Sequence, residues 1–202
     1  TLEFPRVWGL GTSSTLIAML AKWADVNAYD LLKKTFGGSG YDLACAEATG
    51  PLIYQLPGPI VKHVQFVPTF ANQLYFVYLN KKQNSREGIQ HYRTLNNSNH
   101  KIIAQRLSEI SEGMAVAKTL SDFEALMLEH ENIISKALRI PRAKEIYFAD
   151  FWGEVKSLGA WGGDFVLVTS DKPVEETRKY FNEKGFEVFF RYGEMVEGGG
   201  LF

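Results

Sequence analysis

The sequence predicts an α+β fold, and three observations predict it. Segments such as Leu16 to Ala24 and Phe123 to Leu138 repeat apolar residues at helical spacing. Short β-branched and aromatic runs, Gln73 to Leu79 and Phe165 to Ser170 among them, read as strands. The two kinds of segment also fall into two series. The first is helical with two strands, and the second runs strand, helices, strand, helix, strand, consistent with a split β-α-β layout. Pro68 to Asn72 is the candidate boundary, giving units 1–70 and 71–202.

In chain order, Leu16 to Ala24 is an expected helix, and a second short helix at Tyr29 to Phe36 leads to a glycine-rich turn. Leu43 to Ala48 is a third, stopped by Gly50-Pro51. Leu52 to Leu56 and Ile60 to Val67 are expected strands around the turn Pro57-Gly58-Pro59. After the strand Gln73 to Leu79 come the loop Asn80 to Ser85, a helix from Arg86, and a polar turn at Asn96 to Asn99. Helices over Lys101 to Lys118 and Phe123 to Leu138 follow, with Ser121-Asp122-Phe123-Glu124 read as a capping box. A glycine-rich loop then leads into Phe165 to Ser170. The chain continues with a helix from Pro173 to Lys184, ended by Gly185, and a last strand, Phe186 to Tyr192. The tail Gly198 to Gly200 is the one low-complexity run.

Composition narrows the function. The chain of 202 residues is 46% hydrophobic and 22% charged, an ordinary globular balance with enough length to bury a core. A net charge of −1 argues against binding nucleic acid or a membrane surface by bulk electrostatics. The single Cys45 excludes an intrachain disulfide framework and favours a cytoplasmic address. His63, His91, His100 and His130 are scattered, and His130 between two glutamates reads as a helix-surface residue.

Three segments carry candidate chemistry. Pro5-Arg6-Val7-Trp8-Gly9-Leu10-Gly11-Thr12-Ser13-Ser14-Thr15 opens a helix with two glycines and a run of hydroxyls. Backbone N–H groups and the positive end of the helix dipole make such a start a site for phosphate, while an ordinary Gly/Ser/Thr helix cap needs the same residues. It lacks the lysine of G-x-x-x-x-G-K-[ST] and the third glycine of G-x-G-x-x-G. That absence, with no matching ribose carboxylate, disfavours a Rossmann-type oxidoreductase. In Gly37-Gly38-Ser39-Gly40-Tyr41-Asp42-Leu43-Ala44 a carboxylate follows a turn at a helix start, where it can cap the helix or act as a base. Lys156-Ser157-Leu158-Gly159-Ala160-Trp161-Gly162-Gly163-Asp164 is a loop fit to press against a ligand or another backbone.

Together the three segments resemble the GHMP kinases (galactokinase, homoserine kinase, mevalonate kinase and phosphomevalonate kinase). Pro5, Gly9, Leu10, Gly11 and Ser13 match the second motif, P-x-x-x-G-L-G-S-S-A-A, with Ser14 and Thr15 in place of alanines. Ser39, Gly40, Asp42 and Ala44 match the S-G-x-D-x-A of mevalonate-type members, and Gly40 to Ala44 is similar to the G-Y-D-[IL]-A of a bacterial branch. Residues 156–164 resemble the third motif, K-x-[TS]-G-A-G-G-G-[GD], with Trp161 replacing a glycine.

The resemblance implies a ribosomal-S5-like first domain, of which 1–70 would be the C-terminal part, and a ferredoxin-like second domain over 71–202. It implies ATP-dependent phosphorylation of a mevalonate-, phosphomevalonate- or sugar-like substrate. The phosphates would lie on Gly9, Leu10, Gly11, Thr12, Ser13 and Ser14, with Mg²⁺ on Ser13. Asp42 would be the base, and Ser39, Gly159 and Ala160 would line the substrate. Asp30 is a candidate for a second magnesium contact and Ser85 a candidate substrate neighbour. A catalytically silent nucleotide- or metabolite-binding protein on the same fold is the alternative, favoured by Thr15 and Trp161. Because the family has a first motif and several strands upstream, the resemblance also implies that roughly a hundred residues of the first domain are missing, on usual domain sizes. That segment would cover Leu16, Met19, Leu20 and Trp23.

Overall fold

A computed structural model of the chain describes residues 4–82, 88, 90, 92, 94–95, 100–159 and 163–196. Ser85, the helix start at Arg86, His91, the turn Asn96 to Asn99, Ala160, Trp161, Gly162 and the tail Gly198 to Gly200 lie outside the described residues. The fold mixes helices with antiparallel sheets, an α+β arrangement. It divides between Phe66 and Val67 into two compact units.

In the first unit, helices α1 (Thr12–Ala24), α2 (Ala28–Lys34) and α3 (Tyr41–Glu47) precede a hairpin of β1 (Leu52–Gln55) and β2 (Ile60–His63). β2 is half the length its apolar run predicts. Among the described residues it pairs only with β1, over four residues, and all four of its residues are exposed. The helices meet through Ile17 and Ala21 of α1, Ala28 of α2 and Leu43 of α3, with Tyr29, Leu31 and Leu32 packed around them. α1 has a second apolar side at i, i+3, i+4 and i+7, and that side is bare. Leu16 is 49% exposed, Met19 67%, Leu20 42% and Trp23 85%.

The second unit is built on a four-stranded antiparallel sheet in the order β4-β5-β3-β6, formed by β3 (Leu74–Tyr78), β4 (Val155–Ser157), β5 (Phe165–Thr169) and β6 (Phe189–Arg191). Between β3 and β4 the described helices are α4 (His100–Val116), α5 (Leu120–Leu138) and α6 (Ala143–Tyr147). α7 (Val174–Glu183) joins β5 to β6, and α8 (Tyr192–Met195) follows β6. The register pairs Val77 with Val166 and Phe189, and Val168 with Tyr75 and Val155. These residues therefore share one sheet face. They pack on Ala143, Phe148, Phe151 and Phe181 in an aromatic-rich core, where Phe148 and Phe181 meet edge to face at 5.1 Å.

Two sequence expectations are corrected here. The N-cap of α5 is Thr119, whose hydroxyl oxygen accepts from the Asp122 N–H at 3.1 Å, so Ser121 lies inside the helix and is not the cap. The last strand starts at Phe189, and Tyr192 begins α8. The glycine-rich run after Phe151 also contains a strand, β4, that its composition did not announce.

Candidate functional site

Gly9 and Gly11 take left-handed backbone conformations, with φ of 68° and 70°. The Gly11 N–H donates to the Gly9 carbonyl at 2.9 Å, closing the turn that starts α1. A Cβ on Gly11 would meet nothing within 4 Å, so its sign of φ, rather than crowding, is what favours glycine. Gly11 is the N-cap and offers no side-chain acceptor, so among the described residues no side-chain cap covers the first N–H groups of α1. Thr15 turns inward along the helix and donates to the Gly11 carbonyl at 3.2 Å. Thr12 Oγ1 is buried without a hydrogen-bond partner among the described residues. A buried, unmatched hydroxyl costs free energy, about 1–3 kcal/mol, and calls for an explanation.

α3 carries Asp42 in its first turn. The N-cap is Gly40, so Asp42 does not cap this helix. Desolvation by the surrounding unit lifts the Asp42 carboxyl above its ordinary value, although the residue reaches the surface. Such a shift moves a carboxylate towards the range useful for accepting a proton. Burial also raises Tyr41 and Cys45, which lie in the same helix on either side of it. Ser39 is already engaged. Its Oγ accepts from the Tyr41 N–H at 3.2 Å and its carbonyl accepts from Tyr54 Oη at 2.5 Å.

α1 and α3 thus stand in one unit, joined through Ile17, Ala21 and Leu43. Gly159 belongs to the second unit, where it is exposed with φ of 72°; its neighbour Ala160 lies outside the described residues. Asp30 sits in the first turn of α2, where its N–H donates to Asn27 Oδ1 at 3.0 Å. Among the described residues, no group of three or more His, Cys, Asp or Glu side chains could hold a metal ion by itself.

Two clusters were not foreseen from sequence. Tyr29 and Tyr54 flank Gly40. Lys156, from the third motif, is the first residue of that motif to find a charged partner: Nζ lies 3.0 Å from His130 Nδ1 and 3.5 Å from Glu131 Oε1. His130 is therefore no plain surface residue; its side chain is 20% exposed. Burial pushes Glu131 up, but His130, Lys156 and the Ser157 N–H together outweigh it and hold the carboxyl below its ordinary value. Burial pulls the Lys156 ammonium down more than Glu131 lifts it. The partners are 25 and 26 residues apart, a separation that carries no local signal.

No helix among the described residues is long and apolar enough to cross a membrane. No protein-family model and no curated protein matches the chain. Among solved structures it is similar to a Lin0012 protein from Listeria innocua, with a TM-score of 0.66 and 16% identity, over 88% of this chain and 64% of that one. The likeness is one of fold, and the chain spans 64% of that protein's length.

Proposed function

We propose that the chain is part of an ATP-dependent small-molecule kinase of the GHMP type, acting on a hydroxyl or phosphate of a mevalonate-, phosphomevalonate- or sugar-like substrate. The uncapped start of α1 is the observation that carries the reading. A left-handed glycine turn aims unpaired N–H groups outward at the positive end of a 13-residue helix, the arrangement that attracts phosphate. The second unit adds support, because its strand succession and order are those of a ferredoxin-like domain.

The donor set fits a polyphosphate. Backbone N–H groups of residues 9–14 would hold it, and the buried Thr12 hydroxyl is a polar atom that an ordered site would satisfy. Ser13 would supply an oxygen of the hard kind that magnesium takes. When bound, Mg-ATP supplies the phosphoryl group. Asp42 would orient the substrate hydroxyl and take its proton. Positioning and charge neutralisation suffice for such a transfer, without a covalent nucleophile.

The same reading assigns the bare stripe of α1 to a further segment of the same protein. A helix apolar on two sides is made to be covered on both. Titration calorimetry with Mg-ATP, followed by transfer assays on a panel of alcohols with the full-length protein, tests the proposal. Nucleotide binding without transfer to any acceptor would favour a silent binding protein, and no binding would remove both readings.

A further inference from the structure

The turn that delivers Asp42 is held from outside its own segment. Tyr54, on β1, donates through Oη to the Ser39 carbonyl at 2.5 Å, and its ring meets that of Tyr41 edge to face at 5.9 Å. Tyr29, on α2, closes the other side. A Cβ placed on Gly40 would lie 2.9 Å from Tyr29 Cε1 and 3.0 Å from Tyr54 Oη. With φ of 83° as well, a side chain at position 40 would be strained for two separate reasons. Gly37, Gly38 and Gly40 otherwise leave this turn unusually free, since each gives up conformational restriction. The next bonds in line are the Tyr41 N–H to Ser39 Oγ at 3.2 Å and the Ala44 N–H to the Gly40 carbonyl at 2.9 Å. They fix the first turn of α3, and with it the direction in which residue 42 leaves the helix.

We infer that Tyr54 is a positioning residue: its hydroxyl locks the Ser39–Gly40 turn and so sets where the Asp42 carboxylate points. It rests on the proposed function only for its catalytic consequence; the mechanical statement stands on the geometry of the first unit. A side-chain bond from a neighbouring strand is the one long-range polar tie that the described contacts give this turn. Misplacing a reacting group by about an ångström costs on the order of a hundredfold in rate, so a tie of this kind is worth testing as part of the site.

Tyr54→Phe removes the hydroxyl and keeps the ring. In the full chain, amide exchange at Tyr41 and Ala44 should quicken by about tenfold or more, while the Thr15 amide, bonded to Gly11 in α1, stays unchanged. NMR titration of the Asp42 carboxyl, read with Tyr41 and Cys45 as its titrating neighbours, should move towards the ordinary aspartate value as the carboxyl swings into solvent. With Mg-ATP and an accepted alcohol, kcat should fall about tenfold or more with KM for Mg-ATP within about twofold. Gly40→Ala, which drives a methyl against both rings, should reproduce the exchange and titration changes by a second route. Unchanged exchange and an unchanged Asp42 titration in Tyr54→Phe would overturn the inference, as would equal acceleration at Thr15, the mark of a merely structural loss. If the wild-type protein transfers no phosphate, the kinase reading fails while exchange and titration still decide the role of Tyr54.

Discussion

Removing both charges of the buried cluster in the second unit should cost less than the two single removals added together. Glu131 is 4% exposed and Lys156 has a side chain only 16% exposed, so each charge relies on protein partners. Lys156→Met leaves the Glu131 carboxylate buried with the Ser157 N–H at 3.1 Å and His130 at 3.4 Å. Breaking a buried pair from one side costs about 3–5 kcal/mol when nothing replaces the partner. Two partners remain here and the Lys–Glu separation is a long 3.5 Å, which brings the expected loss to about 2–3 kcal/mol. Glu131→Gln should cost a similar amount, because it strips Lys156 of its counter-charge. The double variant should fall short of the sum by about 1–2 kcal/mol, since neither charge is then left stranded. Hydrogen exchange of the central β5 amides, Val166 to Val168, reads the opening of this unit. A loss of 2–3 kcal/mol appears there as roughly 30- to 150-fold faster exchange, at 1.4 kcal/mol per tenfold. The pH dependence has a definite sign. Glu131 is depressed when folded, so its contribution is present above about 4.5 and fades as pH falls through the folded value. Lys156 is depressed as well, so the folded form binds fewer protons just below 10.5 and stability climbs with pH across that window; Lys156→Met should flatten the climb. Strictly additive single and double variants would refute the coupling, and a costless Lys156→Met would refute the cluster's structural role.

Three further outcomes are expected. Asp42→Asn should lower turnover by roughly 10²–10⁴ with nucleotide affinity kept. Because the Asp42 carboxyl is raised when folded, its charge opposes folding above the ordinary aspartate range; a thermal melt at pH 7 should show the Asn variant at least as stable as the parent. Gly11→Val should abolish stabilisation by Mg-ATP in thermal-shift measurements, through its φ of 70° and not through a clash; retained stabilisation would leave α1 with an ordinary helix start. Gly153→Ala would set a Cβ 1.8 Å from the Thr169 carbonyl oxygen, so backbone must move, and chemical denaturation should show a loss of about 2–4 kcal/mol in the second unit.

The sequence made legible those elements whose signals are local. The period of Leu16 to Ala24 and the aromatic and β-branched run of Gln73 to Leu79 each found their element, within a few residues at the ends. β4 was not legible, because a three-residue strand amid glycines is defined by its partner Val166 to Val168 and not by its own composition. The cap of α5 lies two residues before the expected one, since Thr119 and Ser121 are chemically alike and only the fold selects between them. The candidate site divides in the same way. Its glycines and Asp42 could be read from motif spacing, whereas Tyr54 stands 15 residues from the carbonyl it binds and Glu131 stands 26 from the amide it accepts.

Among the described residues β4 is the outermost strand of its sheet, and Ser157 lies at a position whose N–H turns away from β5. An outer strand with open donors is a template on which another chain can add itself. Glu131 occupies that donor with a carboxylate, and Lys156 beside it places a second charge at the same margin. An incoming strand would have to displace an ion pair to dock, and would strand both charges in the new interface. The side chains that tie α5 to the sheet would therefore also oppose self-addition along this margin.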